Sequence, residues 1–416
     1  MNKVRFLFFA FFIVVASNLF SQSVVVSSLN NRNPESDIRE ALLSINDTII
    51  VDKLGSPWIL PPMKFNKLKN KVIVFEEGVE ILAKSSVFLK TSDALFSFVD
   101  SQNIQIFGNA AKICMNKEEY TTGEWRHVIS LRGCVNFKIK DLTLRDSGGD
   151  GIYIAGSKSR IFCEDIIIDN IKSLNNKRQG LSIISGKNIQ INNSIFSETI
   201  GTLPGAGLDI EPNRPEDIID NIKISNSRFI NNYGPGIKLA LHKLTAKSED
   251  ISIFVDNCVL VNNQSADNPR VPAELVIDAN KSSPVKGAVK FKDCMIQNSK
   301  WGLLYSRKRA DAFSVELVDC TANNMSQNES MPIIYLEVTD YYKNQGPLGG
   351  FIFKKLNVSS QNKVPLISVR GSRLGTLTLK DIYADITYKG DLNQLEYIKY
   401  DPKINENVIL KLNKID

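Results

Sequence analysis

Gly148-Gly149-Asp150-Gly151-Ile152-Tyr153-Ile154 has three downstream copies of its form: Arg178-Gln179-Gly180-Leu181-Ser182-Ile183, Gly205-Ala206-Gly207-Leu208-Asp209-Ile210-Glu211-Pro212 and Gly234-Pro235-Gly236-Ile237-Lys238-Leu239. In each, a glycine precedes an apolar, variable, apolar triplet. Gly151, Gly180, Gly207 and Gly236 follow one another at intervals of 29, 27 and 29 residues, a spacing that marks a repeat architecture. A triplet of period two is a strand with one face buried. Stacked at this interval, the variable residues Tyr153, Ser182, Asp209 and Lys238 form one outward column, and the function is expected there.

A second series extends the pattern along the chain. Its strands are predicted to begin at Ile104, Phe137, Ile166, Ile189, Ile222, Ile253, Val289, Val315, Phe351 and Leu377. Most end on a small or apolar residue, successively Leu142, Ile171, Ser194, Ser227, Cys258, Cys294, Cys320, Leu356 and Ile382. That position stays small through five consecutive repeats, as expected of rungs stacked ~4.8 Å apart but not of independent strands. Asparagine pairs (Asn175-Asn176, Asn192-Asn193, Asn231-Asn232, Asn262-Asn263) recur near the corners, where Asn tolerates left-handed backbone and bonds along a stack. The economical solution is an all-β, single-stranded parallel β-helix, a solenoid with capped ends. A short amphipathic helix from Asp37 to Ile45, with Asp37 as cap and Glu40 completing a capping box, covers the first rung. Lengthened repeats place surface loops at Lys112 to His127, Leu241 to Asp250, Asn263 to Lys286 and Val338 to Gly349. Cys258, Cys294 and Cys320 share an inward column and read as reduced core fillers; no cysteine spacing resembles a zinc site.

Residues 1–22 read as a secretory signal peptide: Lys3 and Arg5, then an apolar run from Phe6 to Ala16, then small polar residues. The apolar run is short for a membrane span. The expected division is 1–22 signal peptide, 23–48 N-terminal cap, 49–390 β-helix and 391–416 C-terminal cap, in a secreted protein, periplasmic or extracellular, that is not an integral membrane protein. The formal charge of +6 is dispersed. With no basic helix or clustered patch, nucleic acid is not an expected partner, whereas a mild positive bias suits an anionic polymer.

The candidate chemistry is acidic and basic groups meeting on the column. Asp209 and Glu211 alternate on one strand, so both point outward, with Cα atoms ~6.6 Å apart. Lys238 lies one rung beyond Asp209, and Asp150 two rungs before it, with Arg178 and Gln179 between. The loop Glu124-Trp125-Arg126-His127 precedes the Asp150 rung and is expected to fold over the column as a wall. Asp150, Asp209 and Glu211 are the candidate catalytic residues. Trp125, Arg126, His127, Tyr153, Arg178, Gln179, Asn213 and Lys238 are the candidate substrate contacts, with Trp125 and Tyr153 stacking on sugar faces.

These stretches, with Val74-Phe75-Glu76-Glu77-Gly78-Val79-Glu80-Ile81 upstream, resemble the right-handed parallel β-helices of the pectin-lyase-like superfamily, over about Ile49 to Leu260. The resemblance implies a right-handed coil and a polysaccharide-directed lyase, glycoside hydrolase, esterase or epimerase. Against polygalacturonases, Asp150 matches their aspartate before the strand and Ile237-Lys238 their Ile-Lys. Their Asp-Asp pair falls on Arg178-Gln179, and their Gly-His-Gly on Gly205-Ala206-Gly207. In chondroitinase B-like lyases an acidic-x-acidic pair binds calcium with a lysine as base, a form shared by Asp209-x-Glu211. The expected function is a polysaccharide- or oligosaccharide-directed glycoside hydrolase without cofactor. The alternatives are a lyase using Ca²⁺ on Asp209 and Glu211 with Lys238 or His127 as base, and a non-catalytic glycan-binding or structural protein.

Overall fold

The structure, a computed structural model, describes residues 22–31, 33–267, 269, 271–328, 331–338, 346–371, 378–398 and 402–416. The signal-peptide reading, the strand start at Leu377 and most of the loop from Val338 to Gly349 lie outside or largely outside them. The described residues form one coil of short parallel strands. Twenty-two strands make one continuous sheet, folded around the coil, and twelve make a second sheet running from Met63–Asn66 to Asn393–Ile398. A typical turn runs through a long strand (Cys163–Asp169), a short strand (Lys172–Leu174) and a strand of the second sheet (Gln179–Ile183). Among the described residues no helix is long and apolar enough to cross a membrane.

The corners explain the asparagines. Asn170, Asn193, Asn226 and Asn257 occupy the bend between the first two strands with φ near +50°, in the left-handed region that Asn tolerates. Their amides bond along the stack, as from Asn257 Nδ2 to Asn226 Oδ1 at 2.7 Å and from Asn170 Nδ2 to Asp141 Oδ1 at 2.6 Å. The asparagines ahead of the second sheet turn inward: Asn176, Asn232 and Asn263 are fully buried. Asn232 Nδ2 donates to Asn263 Oδ1 (2.7 Å), and Asn263 Nδ2 donates to Glu274 Oε2 (2.8 Å), which ends the ladder.

This ladder is why the second sheet has a glycine column. A Cβ on Gly180 would meet the Gly207 carbonyl oxygen at 2.5 Å, and one on Gly207 would meet Asn232 Nδ2 and the Gly236 carbonyl oxygen, each at 2.9 Å. The space a side chain needs is filled by the next rung's backbone and by the buried amides. Inside the coil, the small column is buried throughout: Ser194, Ser227, Cys258 and Cys320 have no exposure, and Cys294 has 2%. All six cysteines are free thiols. Those of Cys258, Cys294 and Cys320 contact the carbonyl oxygens two residues earlier. Phe196 and Phe229 stack face to face beside it, centroids 5.4 Å apart.

Two local expectations are corrected. The N-terminal helix spans Pro34–Leu43, not Asp37 to Ile45: Asn33 caps it by accepting from Glu35 N, and Pro34 pre-sets the first turn. Asp37 is inside the helix, where its carboxylate accepts from Asn31 N. Ile38, Ala41 and Leu42 face the first rung, each burying a group worth about 1–3 kcal/mol, while Leu43 and Ile45 are exposed. Second, the supposed loop from Asn263 to Lys286 contains a strand, Ala273–Ala279, of the second sheet, because Leu275, Ile277 and Ala279 alternate into the core. At the far end, Asn393–Ile398 and Glu406–Ile415 pair in parallel with the preceding rung, so the polar tail closes the coil as its last turn.

The glycine column makes a direct prediction. Gly180→Ala forces backbone against backbone and is expected to destabilise the protein by about 1–3 kcal/mol in urea denaturation, whereas Gly55→Ala, with open space around its Cβ, changes stability by less than about 0.5 kcal/mol.

Candidate functional site

The second sheet sets the outward column in register. Tyr153 pairs with Ser182, Ser182 with Asp209 and Asp209 with Lys238; one position class earlier, Asp150 pairs with Gln179. Parallel pairing stacks like positions, so side chains that are up to 30 residues apart in sequence become neighbours.

Arg178 is the hub. Its Nη2 lies 2.8 Å from Glu211 Oε2, its Nε 3.4 Å from Glu124 Oε2 and its Nη1 3.9 Å from Asp150 Oδ1. Lys238 Nζ lies 3.3 Å from Asp209 Oδ2 and 3.8 Å from Glu211 Oε1. Four carboxyl groups thus share two cations, and the cluster relieves the imbalance by holding protons. Asp150 has no exposure, and burial pushes its pKa up to about 7 against the opposing pull of Arg178. Asp209 is equally buried and is pushed up to about 6, with Lys238 opposing. For Glu211 burial also acts upward, but Lys238 and Arg178 outweigh it and hold it below the usual range. Burial lowers Lys238, but Asp209 and Glu211 more than restore it, so its ammonium stays protonated. Unlike environments on neighbouring carboxyls are what acid–base chemistry requires.

Support comes from behind. Gln179 Nε2 donates to Asp209 Oδ2 at 2.9 Å, while its Oε1 accepts from Ala206 N at 2.8 Å. Asp150 N donates to His127 Nδ1 at 3.0 Å, which fixes the imidazole with its proton on Nε2; burial holds it neutral. Buried polar atoms without a hydrogen-bond partner gather here: His127 Nε2, both Asp150 carboxylate oxygens, Ser182 Oγ and Asp209 Oδ1. Such atoms are costly and rare in folded proteins.

Several predicted substrate contacts are corrected. Arg126 is turned into the protein: its guanidinium donates to the carbonyls of Phe88, Leu89 and Thr122 and lies over the Tyr120 ring, so it pins the 112–127 loop. His127 is 1% exposed and lies beneath the site, not above it as part of a wall. Tyr153 is 7% exposed, stacked on His127 at 4.5 Å with Arg132 4.8 Å from its ring, leaving no face for a sugar. Gln179 is fully buried and positions Asp209. Trp125 is 46% exposed, and Asn213 sits in an exposed turn closed by Asp217; neither lines the groove. A calcium ion does not fit Asp209 and Glu211, because Lys238 and Arg178 already sit on their oxygens, and among the described residues no third acidic or imidazole ligand joins them.

In front of the column lies a groove of about 940 Å³. Glu211, Lys238, Ala240, Asp278 and Arg307 form its floor. Leu203, Pro204, Tyr233, Pro235, His242, Lys281, Ser282, Glu124 and Arg178 also line it. Sequence reasoning placed Glu124 in the covering loop without giving it a role, and missed His242, Asp278, Lys281 and Arg307. Asp278 had a signal, since it follows the apolar-variable-apolar run Leu275-Val276-Ile277.

Residues 127–330 match the family described as the right handed beta helix region. The uncharacterized protein YclG of Bacillus subtilis (strain 168) is 25% identical over 197 residues, which is 41% of this chain and a third (33%) of that protein's length. Two solved structures share the fold: the Streptococcus pneumoniae surface protein and adhesin PfbA (TM-score 0.58, 14% identity, 95% of this chain and 100% of that one) and a Yersinia enterocolitica family 28 exopolygalacturonase (TM-score 0.60, 11% identity, 95% and 79%). At these identities the likeness is one of fold alone.

The raised pKa of Asp150 gives a stability prediction. Its folded value, about 7, lies above the 3.8 of an ordinary aspartate, so the contribution of the protonated carboxyl is complete below about pH 4, is lost as pH rises from there to 7, and changes no further above 7. Asp150→Asn cannot ionise. Its melting temperature relative to wild type is therefore expected to rise as pH increases from about 4 to 7, by about 1–2 °C per pH unit in calorimetry, and to level off above 7; a difference that stays constant between pH 4 and 7 would contradict the buried carboxyl.

Proposed function

We propose that this right-handed parallel β-helix belongs to the pectin-lyase-like superfamily and is a secreted glycoside hydrolase that binds an anionic polysaccharide in this groove and cleaves it on the outer face of the coil. The observation that carries the reading is the pair Asp209 and Glu211. They occupy alternate positions on one strand, share Lys238, and have pKa values displaced in opposite directions, Asp209 up to about 6 and Glu211 below its usual range.

In this reading Asp209 is the general acid. Its Oδ2 is held by Gln179 and Lys238, which leaves Oδ1, free of hydrogen bonds, to carry the proton. Glu211, at the groove surface and ionised, is the general base. It takes a proton from water, the hydroxide oxygen bonds to the anomeric carbon, and the glycosidic C–O bond breaks as Asp209 protonates the departing oxygen. Arg178 and Lys238 bind the carboxylate or sulfate of the substrate. Asp209 is itself buried and outside the groove lining, directly behind Glu211 and Lys238, which do line it, so it reaches substrate only when these two move aside; Asp150, two rungs further back behind Arg178, is a positioning residue and not a proton donor to substrate. The lyase alternative is weakened because Lys238 is held protonated and His127 is buried, so neither is a base at neutral pH.

One observation favours a second reading. Asp150 and Asp209 have no exposed surface, and each of the cluster's carboxyls is close to a cation, an arrangement that also suits a rigid, non-catalytic glycan-binding face like that of an adhesin.

A panel of acidic polysaccharides assayed for new reducing ends separates them. Turnover by wild type that falls about 10²–10⁴-fold in Glu211→Gln and in Asp209→Asn, with folding unchanged, is expected of the hydrolase. Turnover that persists in both variants overturns the assignment, an unsaturated product signals elimination, and binding without turnover selects the second reading. The pH profile is a further check: kcat/KM is expected to fall on the alkaline side from about pH 6, as Asp209 loses its proton, and on the acid side only below the ordinary glutamate range.

A further inference from the structure

The last turn of the coil is built unlike the turns before it. In those turns a residue with positive φ bends the first sheet at its corner, as at Asn226, Asn257, Asp293, Asp319 and Lys355. The final two turns have no such bend: Asp385 pairs directly with Lys411, and neither is left-handed. Leu379–Lys389 and Glu406–Ile415 therefore run on as single strands. Among the described residues, Glu406–Ile415 pairs only with Leu379–Lys389, and Asn393–Ile398 only with Pro365–Arg370, so the outer edge of each carries no strand. Burial shows the consequence. Ile382, Ala384 and Ile386 are buried because Val408, Leu410 and Leu412 cover them, but these three are themselves only partly buried. Leu395, Ile398, Ile404, Ile409 and Ile415 are each more than a third exposed. A long, straight, apolar edge is a template for another strand.

We propose that this edge is an interface to a second copy of the chain, in which Glu406–Ile415 pairs antiparallel with itself about a two-fold axis at Leu410. The strand is self-complementary in that register. A slip of one residue would set core-facing side chains against outward ones. With Leu410 on its own copy, Val408 meets Leu412, Ile409 meets the stem of Lys411, and Glu406 meets Lys414 at both ends. Moving the axis to Lys411 opposes two ammonium groups, and moving it to Ile409 sets Glu406 against Leu412; like charges directly opposed destabilise an antiparallel pair. Glu406 already lies 2.7 Å from Lys380 of its own chain, and Lys414 of the second copy brings it another cation. At the other end of the coil the helix Pro34–Leu43 packs on the first rung, so this self-pairing is isologous and stops at two copies instead of growing into a fibre. One turn of the coil is also of the right size, since a standard interface draws on about 20–30 residues a side. The inference is independent of the function proposed above.

Sedimentation equilibrium of the full-length protein tests it, and a reversible monomer–dimer equilibrium is expected. Ile409, which is 49% exposed, reports the register without disturbing the core. By symmetry Ile409→Lys opposes Lys411 of the second copy twice and should weaken the dimer about fivefold, whereas Ile409→Glu attracts it twice and should tighten the dimer about fivefold. Ile59→Lys, near the opposite end of the coil, should change nothing. Leu410→Lys places like charges on the axis and should leave monomers; if that variant fails to fold, the two Ile409 variants still decide. A wild type that stays monomeric, or a dimer that both Ile409 variants shift in the same direction or not at all, overturns the interface. Slow hydrogen exchange of the outward amides of Val408 to Leu412 in a monomeric protein would assign the edge to another segment and overturns it equally.

Discussion

Parallel strands in register, one rung every ~4.8 Å, leave each side chain facing its counterpart from the turns above and below. Like positions must therefore be compatible with one another along the whole coil. Inside, the constraint is met by columns of one kind: branched aliphatics, a serine and cysteine stripe, a phenylalanine pair. At the corners it is met by asparagines, whose amides can donate to one neighbour and accept from the other. The buried Asn232–Asn263 ladder then occupies the volume that a Cβ in the adjoining rung would need, so the glycine column follows from the ladder.

On the outer face the same constraint produces chemistry. Asp209 cannot be placed on the column without a response from the adjacent rung, and Lys238 supplies it. Arg178 does the same for Glu211, Glu124 and Asp150 together. Two cations do not neutralise four carboxyls in a partly dry setting, so the deeper pair are pushed towards keeping protons while Glu211, nearest the groove, stays ionised. The scaffold thereby sets protonated carboxyls just beneath an ionised one, Glu211, that lines the groove.

The fold was legible because the coil writes its period into the sequence: the glycines from Gly151 to Gly236, and the column from Leu142 to Ile382 that narrows to serine and cysteine. The register of Tyr153, Ser182, Asp209 and Lys238 follows from the triplets alone. Depth was not legible. Whether an outward residue is covered depends on the turns beside it, so Tyr153 looked like a sugar platform although His127 and Arg132 cover it. Arg126 looked available because its partners, the carbonyls of Phe88 and Leu89, are backbone groups more than thirty residues earlier. The far half of the groove was hidden because the repeat after Lys238 is lengthened, which breaks the interval and makes the Ala273–Ala279 strand read as loop. Asp278 and Arg307 went unseen for that reason.

The central claim is that stacking buries carboxyl groups on the outer column and makes them retain protons near neutral pH. Carbon-13 labelling of the aspartate carboxyls, followed by NMR through a pH titration, tests it most directly. Two aspartates are predicted to titrate far above the rest, at about 7 and about 6, the first vanishing in Asp150→Asn and the second in Asp209→Asn. Aspartates that all titrate within the ordinary carboxylate range would contradict the account.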